Sequence, residues 1–214
     1  MGSTLLAMTG FSGAQPRATQ PSPVAETGAE AGTPGDPADT ALYLRIAAGA
    51  GLVGFDMHPE PGYEDHSADG ASVALDLLLG YSPSRRTAFG GALLLDLAPS
   101  MTLASGPMDR GRSTMGIGII GPFIDAAPEP AWGLHLGLAA GFAVLSIHPP
   151  GEPREPIYGL GGAAWAGNDF SIGHDWSLGG SLRVSRTLTG DDSDEFDLDA
   201  SCLTAALLLT AAHD

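Results

Sequence analysis

Lysine is absent from this chain of 214 residues, so its nine basic side chains are all arginines, set against 25 carboxylates. The resulting net charge of −16 argues against nucleic acid or an anionic lipid surface as the partner. Cysteine occurs once, at Cys202, which excludes an internal disulfide and a multi-cysteine zinc site and leaves it as a small strand residue. No run of eighteen or more apolar residues occurs, so a membrane-spanning helix is excluded. A β-barrel remains open, because its strands signal more weakly. No serine lies in a G-x-S-x-G setting. His135, Ser177 and Asp76 offer the residue types of a hydrolase without its motif, so the chain reads as a non-enzyme that requires no cofactor and no metal.

What the sequence does have is alternation. From Trp132 to Ser146, the residues Trp132, Leu134, Leu136, Leu138, Ala140, Phe142 and Val144 share one face of an extended strand. Gly133, His135, Gly137, Ala139, Gly141 and Ala143 share the other. A soluble sheet would turn Lys, Glu, Thr or Gln toward water on that second face. Small, mildly polar residues there suit the inside of a narrow barrel whose bulky face meets lipid.

The same reading gives eight strands. Ala41–Phe55 turns Leu42, Leu44, Ile46 and Leu52 outward, with Tyr43 and Arg45 inward. Ser72–Ser82 places Asp76 inward, and Thr87–Ala98 places Asp96 inward. Ser113–Ile124 is read with Met115, Ile117, Ile119 and Phe123 outward, with pairing weakened near Pro122. Ile157–Ile172 is glycine-rich, and a bulge is expected near Asn168. Trp176–Leu188 carries Arg183 inward, and Phe196–Ala211 turns Leu203, Leu207 and Leu209 outward. The connections alternate long and short, beginning with 56–70, 83–86, 99–112 and 125–130 and ending with 189–195. Outer-membrane barrels pair long extracellular loops with short periplasmic turns. The fold class is therefore all-β: an eight-stranded antiparallel up-and-down transmembrane β-barrel over residues 41–214, in the bacterial outer membrane. A lipocalin-like soluble ligand-binding barrel is the alternative, but 16% charged residues make a poor solvent coat.

Residues 1–40 stand apart. The apolar Leu5 to Phe11 and the small Ser12-Gly13-Ala14 read as the end of a signal peptide, although no positive charge precedes them. The Pro/Ala/Gly-rich stretch from Gln15 to Thr40 lacks periodicity and reads as a disordered leader.

The segment Asp175-Trp176-Ser177-Leu178-Gly179-Gly180-Ser181-Leu182-Arg183 resembles the penultimate hairpin of small bacterial outer-membrane β-barrels of the OmpA/OmpX type. Their motif has the form D-x-W-S-L-G, and one spacer residue is missing here. Leu207 to His213 is similar to the closing strand of that group, without its terminal Phe or Trp. The resemblance implies a Gram-negative outer-membrane location, lipid and the barrel-assembly machinery as partners, and a monomeric shape. It implies no reaction.

Two residue sets are candidates for function. Arg45, Asp76, Asp96, His135 and Arg183 all fall on inward faces, where charges must be paired or hydrated. They are expected to form an Arg/Asp network that plugs the lumen. Asp56, His58, Glu64, Asp65 and His66 make the first long loop acidic, in a spacing that matches no metal-binding loop. The expected role is structural, adhesive or interactive, through an extracellular ligand of these loops. A porin-like conduit for small solutes is the alternative.

Overall fold

The computed structural model describes residues 41–58, 66–84, 86–103, 113–129, 133–148, 156–172, 175–193 and 196–213. The leader and residues such as Glu64, Asp65 and Trp132 lie outside them. Eight strands follow in chain order: β1 Ala41–His58, β2 His66–Ser84, β3 Thr87–Leu103, β4 Ser113–Glu129, β5 Leu134–His148, β6 Ile157–Ser171, β7 Trp176–Ser193 and β8 Phe196–His213. Each pairs antiparallel with the next, and β8 returns to β1 from His213↔Leu44 to Asp199↔His58. The result is a closed eight-stranded barrel with no free strand edge.

Two-residue alternation sorts the side chains. Leu42, Ile46, Leu75, Leu79, Leu138, Phe142, Leu182, Leu207 and Leu209 lie on the outside, the last of them 78% exposed. Twenty-eight large hydrophobic residues are exposed among the described residues, enough to form a continuous apolar belt. A water-facing wall of that extent would drive association. Against hydrocarbon it costs nothing, and it is the wall of a transmembrane barrel. Aromatic pairs mark its rims. Tyr81 packs edge-on against Phe89 at the β2–β3 turn, Trp176 against His213 where β7 meets β8, and Tyr158 stacks on Phe142 higher up.

The inside is packed in layers. Near the short turns Tyr43, Leu78, Phe123 and Trp165 are buried with alanines of β3, β5 and β6. Toward the long connections Val53, Phe55, Met101, Met115, Leu145 and Cys202 fill the bore.

Three expectations are corrected. On β4, Met115, Ile117, Ile119 and Phe123 point inward and are 1–4% exposed, while Ile120 and Ile124 face out. Both faces of β4 are apolar, so size alone could not choose between them. The neighbouring strands decide. Gly161 leaves room for Ile119, whose Cγ1 lies 2.8 Å from where a Cβ on that glycine would stand. On the outer wall, Leu97 and Leu95 of β3 lie over Gly116 and Gly118. Second, no bulge occurs near Asn168, because β6 keeps one register with both β5 and β7. Register shifts fall instead at Ala71/Val73, Tyr81/Ser84, Ala98/Met101 and Ala126/Glu129. Third, the strands run further than the hydrophobic pattern. Asp56, His58, His66 and Asp69 belong to β1 and β2, leaving 59–65 as the connection. β7 and β8 pair up to Ser193↔Phe196, so the last connection is only 194–195. The long–short alternation holds for the other six.

Candidate functional site

Every described charge inside the barrel belongs to one of two clusters, each built around one arginine. The first lies near the short-turn end. Arg45, fixed on the inward face of β1 and 3% exposed, reaches across the bore to β4, β5 and β6. Its Nη1 lies 3.2 Å from Asp125 Oδ2, and its Nη2 lies 3.0 Å from Asp169 Oδ2. Nη1 also lies 2.9 Å from His135 Nδ1, so the imidazole stands directly against the guanidinium. Trp165 Nε1 donates to Asp125 at 2.8 Å, and Thr210 Oγ1 donates to Asp169 at 2.7 Å. Both carboxylates are thereby held on more than one side. Charge-assisted bonds of this kind are the stronger ones.

Two glycines make this cluster possible. His135 faces Gly167 across the β5–β6 ladder, and Trp165 faces Gly137 two residues further along. A Cβ at Gly167 would stand 2.1 Å from His135 Nε2, and one at Gly137 would stand 2.1 Å from Trp165 Cε2. Each ring thus lies flat over the glycine opposite it, a reciprocal large-on-small arrangement across one strand pair. A polar cavity of about 140 Å³ at the short-turn end is lined by Arg45 and His135 together with Arg86, Ser82 and Ser177.

The second cluster sits higher in the bore. Arg183 of β7 is fully buried and donates to both Asp76 of β2 and Asp96 of β3, the latter at 2.5 Å. Thr204 donates to the other oxygen of Asp96 at 3.3 Å and pairs with Ser185. Arg183 Nε and Ser72 Oγ have no hydrogen-bond partner among the described residues.

The five inward residues selected from sequence are therefore divided. Arg183, Asp76 and Asp96 meet, as do Arg45 and His135, while Arg45 touches neither Asp76 nor Asp96. Asp125 and Asp169 are site residues that the sequence reading missed. The sequence pattern puts Asp125 in a turn and Asp169 beside the expected bulge. With β4 turned as the structure has it, Asp125 continues the inward row of Met115, Ile117, Ile119 and Phe123, and Asp169 continues that of Ala163 and Trp165 on β6. Of the loop set, Asp56 is exposed on the outer face of β1, and His58 and His66 are strand-end residues.

The fold and these clusters define a class: an eight-stranded transmembrane barrel whose lumen is crossed by buried ion pairs. No family model matches the chain, and no curated protein matches it. Among solved structures it is similar to neisserial surface protein A, with 13% identity, coverage of 80% of this chain and 96% of that one, and a TM-score of 0.45. It is also similar to the outer membrane protein AlkL in lipid bilayers, with 10% identity, coverage of 81% and 90%, and a TM-score of 0.49. OprG from Pseudomonas aeruginosa matches at 8% identity, coverage of 82% and 98%, and a TM-score of 0.44. At these identities and scores the matches transfer neither a role nor a ligand.

Proposed function

We propose that this chain is an integral protein of the bacterial outer membrane whose barrel is a closed scaffold. Its acidic rim and longer connections face the exterior for a structural, adhesive or interactive role. One observation carries the reading: the bore is crossed at two heights, by Arg45 with Asp125 and Asp169 and by Arg183 with Asp76 and Asp96. Apolar side chains fill the space beyond the upper crossing. A solute would have to part buried ion pairs at both levels and leave charges in the bore without their partners, which is costly away from water. The short-turn cavity supports the same reading, because Arg45, Asp125 and Asp169, which pair across the bore, all line it. Lipid surrounds the apolar belt, and assembly proceeds through the general barrel-insertion machinery.

The test is swelling of proteoliposomes in an isotonic small sugar. The closed scaffold predicts swelling no faster than in protein-free liposomes. Swelling that rises with protein content would replace the scaffold with a solute conduit.

A further inference from the structure

Arg186 is the one described basic residue on the outer wall of a strand. Alternation on β7 turns it outward with Leu182, Val184 and Leu188, and it is exposed. Among the described residues it has no carboxylate within ion-pair distance. A guanidinium on the lipid face is costly at the membrane midplane and nearly free at the interface. Its height follows from the strand. Arg186 is ten residues above Trp176, and a rise of about 3.3 Å per residue on a strand tilted by about 40° places it about 25 Å higher. That is the full height of an apolar belt whose lower rim carries Trp176, so Arg186 stands where headgroups meet acyl chains on the far leaflet.

Directly beside it the wall is hollow. Arg186 pairs with Gly162 of β6, and Ala164 and Ala166 continue that small-residue track down toward the belt's lower rim. The hollow, about 400 Å³, is lined by Leu160, Gly162, Ala164, Val184, Arg186 and Leu188 and is almost wholly apolar apart from the guanidinium. An apolar groove that carries one cation is complementary to an amphiphile that carries one anion. Arginine's planar donor fork fits a phosphate in particular. The chain's large negative charge disfavours broad contact with an anionic surface, so any such ligand is held locally, through Arg186.

We propose that Arg186 and the Gly162 hollow seat one phosphate-bearing lipid of the outer leaflet, with its phosphate on the guanidinium and an acyl chain along Gly162 and Ala164. This rests on the membrane reading above. The test is native mass spectrometry of the full chain folded in a phosphate-free nonionic detergent and titrated with dilauroyl phosphatidic acid. Dilauroylglycerol and inorganic phosphate serve as separate probes.

Wild type should retain one phosphatidic acid and not the diacylglycerol, and inorganic phosphate should not displace it. Arg186→Gln should weaken retention about tenfold or more, the loss of a charge-assisted contact. Arg186→Lys should keep part of it. Gly162→Leu, which fills the hollow and whose Cβ has only an ordinary 3.5 Å contact, should weaken it with the charge intact. Equal retention by wild type and Arg186→Gln, equal retention of the two lipids, or displacement by inorganic phosphate would each overturn the proposal. Heat-modifiable migration is recorded for every sample. Its loss in wild type would overturn the membrane reading, whereas a folded barrel without retention overturns this proposal alone.

Discussion

Single atoms decide whether the lower cluster can exist. Gly137 and Gly167 have no side chains because the rings of Trp165 and His135 occupy those positions, at 2.1 Å from an added Cβ. Gly137→Ala and Gly167→Ala should therefore each destabilise the barrel by about 1–3 kcal/mol, the usual range for overpacking. Gly91→Ala is the control. It meets nothing within 4 Å and should stay within about 0.5 kcal/mol of wild type. Urea unfolding in lipid vesicles measures all three, and equal effects at the three sites would contradict the ring-over-glycine packing. The upper cluster makes a second prediction at this scale. Arg183→Ala strands two buried carboxylates and should cost about 3–5 kcal/mol. Adding Asp76→Ala and Asp96→Ala should recover part of that loss, because interacting groups are not additive. A triple variant as unstable as the sum of its single changes would mean that the three residues do not act together.

Strands show what the sequence reveals and what it conceals. On β1, β2, β3, β5, β7 and β8 one face is bulky and apolar and the other small or polar, so in and out are legible from the chain alone. Arg45, Asp76, Asp96, His135 and Arg183 could be assigned to the lumen side on that basis. Which carboxylate each arginine takes was not legible, because it depends on register and on reach across the bore, neither of which is local. β4 shows the same limit in another form. Met115, Ile117 and Ile119 alternate with Gly116, Gly118 and Ile120, and only Gly161 inside and Leu95 and Leu97 outside settle which set turns inward. The strand ends beyond the apolar belt were also invisible, since Asp56, Asp69 and Asp125 look like loop residues until pairing is known. The orientation of β4 has a direct check. In a Cys202→Ser background, a fluorophore on Ile120→Cys should be quenched by brominated acyl chains, and one on Ile119→Cys should not. The reverse pattern would restore the outward placement of Ile119.

For the whole molecule, orientation and closure are the two properties that matter. Long connections follow β1, β3 and β5, and short turns follow β2, β4 and β6, so the loop-length rule predicts that the β1–β2 end faces outward. Single cysteines at Ser67 and Ser84, again without Cys202, should react with a membrane-impermeant maleimide on whole cells at Ser67 and not at Ser84. Labelling at Ser84 alone would turn the barrel over. Closure is the central claim, and single-channel recording in planar bilayers tests it most directly. Wild type should show no resolvable steps, because Arg45 and Arg183 each hold two carboxylates across the bore. An Arg45→Ala/Arg183→Ala barrel that still migrates as folded should admit water and cations and show small cation-selective steps. Stable steps from wild type, unchanged in the double variant, would contradict a lumen closed by these two arginines.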